Sequence, residues 1–126
     1  MRNPFALIIE DDPKLAFIFA EAIQLADFET EIVRDGRAAL DRLAVTRPAI
    51  VILDLHLPQL SGLDILTHIR ADQRLAQTRV ILATADALKA EHLRSEADLV
   101  LLKPISFHQL NALARRLRPP DSQNDD

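Results

Sequence analysis

Six residues of this 126-residue chain carry groups that could do chemistry together: Glu10, Asp11 and Asp12 in LIIEDD, Asp54 in VILDLHLP, Thr84 in ILATA and Lys103 in LLKPIS. Each group ends an apolar run. An unpaired charge at such a place is costly, so Asp54 needs either an open edge or a partner. Two carboxylates about 4 Å apart repel by roughly 4 kcal/mol at an effective dielectric of about 20. Three cannot stay ionised together without a cation. Lys103 supplies one positive charge, and an open, all-oxygen site suits Mg2+ or Mn2+ for the rest. Such a site is equipped for phosphoryl transfer. The cations neutralise phosphoryl oxygens, the Thr84 hydroxyl donates a hydrogen bond, and the carboxylate attacks in line.

The elements that must bring these residues together are legible as patterns. FALII (5–9), AIVIL (49–53), RVILA (79–83) and LVLL (99–102) are continuous apolar runs, which suit strands covered on both faces of a parallel sheet. FETEIV (28–33) alternates in part and reads as an edge strand. Helical spacing predicts helices over 14–26, 37–46, 63–71, 87–95 and 106–117. Asp12 before Pro13, Ser61 and Ser106 are start signals, and Pro48 follows the second helix. Five β-α units in succession predict an α/β fold, a doubly wound parallel sheet with helices on both faces. Ligands of such sheets bind at the carboxyl ends of the strands, where all four polar strand ends would meet.

Composition narrows the function. The 48% apolar content supports one core, and the net charge of −4 argues against this domain gripping nucleic acid by itself. With no cysteine there is no disulfide, thiolate metal site or cysteine nucleophile. The N-terminal apolar run is too short for a signal peptide or a membrane span, so a cytoplasmic protein with no membrane partner is expected. Residues 1–118 read as one domain, and the polar, proline-rich 119–126 as a disordered tail or linker stub.

LIIEDD, DLHLPQLSG, ILATA and LLKPIS, in this order on five β-α units, make the chain resemble a CheY-like receiver domain of two-component response regulators over residues 5 to about 117. The resemblance implies a flavodoxin-like (βα)5 fold with strand order 2-1-3-4-5. It makes Asp54 the phosphoacceptor of a histidine kinase or phosphotransfer protein, in a switch that catalyses its own phosphorylation and hydrolysis without being an ordinary enzyme. Asp11 and Asp54 would ligate Mg2+, Glu10 would do so directly or through water, and the His56 backbone carbonyl would be a further ligand. Lys103 and Thr84 would contact the phosphoryl group, the Lys103–Pro104 peptide would be cis, and Gly62 would permit a tight backbone. His56 and Asp86, each two residues past a site residue, would tune the lifetime of the phosphoryl group.

The chain also departs from that family's pattern. Val100 stands where a switch aromatic is usual, Lys103 follows Thr84 by only 19 positions, and Glu96 replaces a glycine before the fifth strand. All three changes fall on the face formed by the fourth helix, fifth strand and fifth helix, so a partner surface of another shape is expected, and the downstream protein or output domain is open. The competing function is a degenerate receiver that binds proteins without phosphate. A haloacid-dehalogenase-type phosphohydrolase fits poorly, because His56 stands where that family needs a second Asp. The plainer expectations are that Asp12 only caps a helix, that Phe17 and Phe19 are core, that His68, His92 and His108 lie on helix surfaces, and that Arg115, Arg116 and Arg118 form a solvated helix end.

Overall fold

The computed structural model describes residues 3–120. Five parallel strands, β1 (Phe5–Ile9), β2 (Glu29–Val33), β3 (Ile50–Asp54), β4 (Arg79–Thr84) and β5 (Leu99–Leu102), alternate with five helices. These are α1 (Pro13–Gln24), α2 (Gly36–Val45), α3 (Gly62–Ala71), α4 (Ala87–His92) and α5 (Phe107–Leu117), with a 3-10 turn at Gln73–Leu75. The strand order is β2-β1-β3-β4-β5, the flavodoxin-like order expected.

The unbroken apolar runs serve two cores at once. Ala6, Ile8, Ile50, Ile52, Ile81 and Ala83 pack with Phe19, Ile23 and Leu110 of α1 and α5. Their strand neighbours Leu7, Ile9, Val51, Leu53, Val80 and Leu82 pack with Leu43, Ile65, Ile69 and Ala90 of α2, α3 and α4. Side chains alternate across a strand, so a strand covered twice must be apolar at every position. Each fully buried Leu or Ile contributes roughly 1.5–3 kcal/mol.

Every helix starts on a capping side chain: Asp12, Asp35, Ser61, Asp86 and Ser106 each accept a hydrogen bond from a backbone N–H of the first turn. Such a cap stabilises its helix by about 1 kcal/mol.

Three expectations are corrected. Phe17 is 60% exposed, whereas Phe19 is buried; two residues along a helix are about 200° apart, so the two rings cannot share a face. Ile18, at 39%, lies beside Phe17 at the edge of the stripe. Of the arginines at the end of α5, Arg116 is solvated as expected but Arg115 and Arg118 are not merely so. Arg115 donates to the Leu25 carbonyl at 2.7 Å and Arg118 to the Asp27 carbonyl at 3.3 Å, covering the end of α1. The fourth helix ends at His92 rather than at residue 95.

The short connection after α4 is held by Asp98 and Arg70. Asp98 accepts from the Val80 N–H at 2.7 Å and from Arg70 at 3.1 Å. Arg70 also donates to the carbonyls of Glu96 and Thr78. Partial burial pushes the Asp98 carboxyl up, but the Val80 N–H together with Arg70 and Arg79 holds it below the usual range. Val100 is 9% exposed, in register with Leu82, and packs into the α2–α3–α4 core.

Candidate functional site

Parallel register places the four chemical strand ends at one edge. Ile9 pairs with Leu53, Asp54 with Ala83, and Thr84 with Leu102, so Glu10, Asp54, Thr84 and Lys103 form one row at the carboxyl end of the sheet. Backbone bonds carry the ladder past the strands: Leu55 N–H donates to Ala83 O at 3.1 Å, and Lys103 N–H to Thr84 O at 2.7 Å. The Lys103–Pro104 peptide is cis.

Glu10, Asp54 and Thr84 are buried, Asp11 is exposed, and the Lys103 side chain is 19% exposed. Lys103 Nζ donates to Glu10 Oε1 at 3.1 Å and lies 3.6 Å from Asp54 Oδ1. Glu10 Oε2 accepts from the Asp12 N–H at 3.2 Å, so the Asp12 backbone serves the site while its side chain caps α1. Asp54 Oδ1 accepts from the His56 N–H at 3.1 Å. Thr84 Oγ1 accepts from the Asp86 N–H at 3.0 Å and has no direct bond to the acids. His56 is exposed, while the Asp86 carboxylate is turned back onto the first turn of α4, accepting from Leu88 and Lys89 N–H.

One ammonium does not balance three carboxylates. Burial pushes the Glu10 carboxyl from 4.5 up to about 7, and the neighbouring Asp54 charge adds to the rise. The Asp12 N–H and Lys103 pull it part of the way back. Glu10, Asp11 and Asp54 offer one carboxylate oxygen each, all within 4.8 Å of one another. A six-coordinate Mg2+ with bonds of about 2.1 Å spaces its ligand oxygens by about 3–4 Å. The triad therefore fits a hard divalent cation after a small contraction, and three oxygen donors are the chemistry such an ion prefers.

The loop between β3 and α3 is clamped by both glycines of the chain. A Cβ on Gly62 would stand 2.6 Å from the Asp54 carbonyl oxygen and from Leu55 Cα, and a Cβ on Gly36 would stand 2.5 Å from Leu60 Cβ. Neither glycine has positive φ. Gly62 thus serves the tight backbone through space beside Asp54, not through its φ. Arg34, at the rim, is a residue the sequence pattern did not single out; it donates to the Asp11 carbonyl at 3.5 Å. Its signal was available, since it follows β2 as Glu10 follows β1.

The family model described as response regulator receiver domain matches residues 6–115. The chain belongs to that family. The chain is 34% identical over 113 residues to the DNA-binding response regulator MtrA of Mycolicibacterium smegmatis, covering 89% of this chain and 50% of the relative. The receiver domain thus spans about half the length of that curated relative. Among solved structures, it resembles the signal receiver domain of a putative LuxO repressor protein from Vibrio parahaemolyticus, with 32% identity, a TM-score of 0.80 and 92% coverage of both chains. It also resembles the response regulator TrrA of Thermotoga maritima, solved in complex with Mg2+ and beryllium fluoride, at 26% identity and a TM-score of 0.80, over 93% of this chain and 99% of that one. No helix among the described residues is long and apolar enough to cross a membrane.

Proposed function

We propose that the receiver domain is a phosphorylatable switch in which Asp54 accepts a phosphoryl group from a histidine kinase or a phosphotransfer protein. The observation that carries this reading is the buried Asp54 carboxylate, 3.6 Å from Lys103 Nζ and grouped with Glu10 and Asp11. An Asp54 oxygen attacks phosphorus, the P–N bond of the donor phosphohistidine breaks, and the imidazole leaves with the bonding pair. The product is an acyl phosphate on Asp54. Glu10, Asp11, Asp54 and the His56 carbonyl would hold Mg2+, or Mn2+ in its place, which supplies charge neutralisation at the phosphoryl oxygens when bound. Lys103 moves its hydrogen bond from Glu10 to the phosphoryl group, and Thr84 exchanges its contact with the Asp86 N–H for one as donor to the same group.

Exposed Phe17 and Ile18 lie on α1, the helix that begins at Asp12 beside the site, and offer the phosphodonor an apolar contact. The output lies in a separate domain or a partner protein, as in relatives of twice the length whose names describe DNA binding. This reading suits a cytoplasmic protein. A buried valine cannot swing as an aromatic ring can, so the signal leaves through the Thr84–Asp86 contact and α4. A degenerate, phosphate-independent receiver is the second reading, favoured by the buried Val100.

The test is intact mass after incubation with acetyl phosphate and Mg2+. One phosphoryl adduct is expected in wild type and none in Asp54→Ala or without Mg2+. If adduct and beryllofluoride binding are both absent, the degenerate reading takes its place.

Lifetime is a separate expectation. His56→Ala is expected to change the dephosphorylation rate: the backbone N–H that bonds Asp54 is kept in the variant, and what is lost is the exposed imidazole that this bond holds next to Asp54. At residue 86 the informative change is Asp86→Asn, because Asp86→Ala would also remove the cap of α4. Rates equal to wild type for both variants, followed as decay of the adduct, would remove His56 and Asp86 from the tuning role.

A further inference from the structure

Three cavities of the receiver domain lie at the opposite edge of the sheet from Asp54. One of about 260 Å³ is lined by Arg79, Arg116 and Arg118 around Ala49 and Leu117. A second, also about 260 Å³, adds Arg47 and Arg74 and shares Ala49, Gln77 and Pro119 with the first. A third, about 200 Å³, shares Arg79 and Arg116 with the first and contains Asp98. Shared walls make them one groove along the amino-terminal ends of the strands. Five of the chain's 12 arginines line it, against the single acid Asp98, in a protein whose net charge is −4.

A structural explanation covers only part of this. The end of α5 favours Arg116 through the helix dipole. Arg74 donates to the Leu43 carbonyl and pairs with Asp72 at 3.3 Å, Arg118 donates to the Asp27 carbonyl, and Arg79 pairs with Asp98 at 3.4 Å while 56% exposed. Arg47 and Arg116 have no hydrogen bond or ion pair among the described residues. A guanidinium presents five donors, so Arg74 and Arg79 also keep some in reserve.

We infer that this groove is a second anion site, which takes a small molecule with linked phosphates. Guanidinium forks match phosphate oxygens in pairs, and several of them along one wall match a di- or triphosphate. The joined cavities are of the size that holds a small organic ligand. Pro48, Leu117, Pro119 and Pro120 give an apolar floor against which a ring can lie. The site is independent of Asp54 and does not rest on its phosphorylation.

The test is titration of the full chain with inorganic triphosphate and with ADP, without divalent ions, followed by backbone amide shifts. Saturable shifts are expected at Ala49, Gln77 and Arg79, weakened by added salt. Arg47→Gln and Arg116→Gln should each bind about tenfold more weakly, the size of one lost charge-assisted hydrogen bond. Both side chains are exposed and unpartnered, so the variants should fold, which unchanged spectra of the free proteins would show. Equal affinity for the two probes would assign the groove to phosphates alone, and tighter ADP binding would add a seat for the ring. Shifts confined to the Asp54 edge, or affinity unchanged in both variants, would overturn the inference. So would much tighter binding of a short oligonucleotide, which would mark a nucleic-acid backbone surface instead.

Discussion

Metal-free protein is expected to lose roughly 3 kcal/mol of stability from Glu10 alone as pH rises from 4.5 to about 7. The unfolded chain releases the Glu10 proton near 4.5, whereas the folded chain keeps it until about 7. Between those values the native state binds more protons than the unfolded state, so stability falls as pH rises. Above about 7 both states are ionised and the Glu10 contribution is flat. Asp98 acts in the opposite sense and elsewhere: its depressed pKa stabilises the fold above 3.8 and is lost only in stronger acid. If the ionised triad binds Mg2+ as proposed, the ion is expected to offset the Glu10 penalty, adding about 2.7 kcal/mol at about 100 times its dissociation constant. The chain has no Trp or Tyr, so urea unfolding is best followed by circular dichroism. Glu10→Gln should flatten the slope between pH 4.5 and 7 and weaken the Mg2+ effect. Equal slopes in wild type and Glu10→Gln would show that burial and Asp54 do not hold the proton on Glu10.

Gly62→Ala should cost about 3 kcal/mol, at the upper end of overpacking effects. Its new methyl would meet the Asp54 carbonyl oxygen and Leu55 Cα, both backbone atoms, at 2.6 Å. Rotamer changes cannot relieve that contact; either the start of α3 or the end of β3 must move. The second option displaces the residue proposed as phosphoacceptor. The variant should therefore show both a lower urea midpoint and slower adduct formation with acetyl phosphate, even where it remains folded. Gly36→Ala is the control, because its methyl meets Leu60, farther along the same loop. Wild-type stability and rate in Gly62→Ala would show that the loop yields freely and does not position Asp54.

The elements were legible because their causes are local. Doubly buried strands demand unbroken apolar runs, and all five helices start on a short polar side chain. Within the site, Glu10, Asp11, Asp54 and Lys103 were legible for a related reason. In a parallel sheet, residues that follow apolar runs share an edge whatever lies between them. Phe17 was misread because Phe19, only two positions away, satisfied the same apolar pattern on a different face. The roles of Arg115, Arg118 and Asp98 were hidden because their partners, Leu25, Asp27 and Val80, are distant in sequence.

By itself, then, the sequence determined which groups meet at the carboxyl edge, since strand order and local patterning suffice for that. Only the tertiary structure decided how they divide the labour. It placed Lys103 on Glu10 rather than midway between the acids, turned the Asp86 carboxylate onto α4, and left Thr84 bonded to the Asp86 N–H. It also gathered five arginines from separate stretches along the other edge. Hydrogen bonds and charge pairs act over about 3–4 Å, a scale fixed by how elements pack and not by how far apart residues stand along the chain.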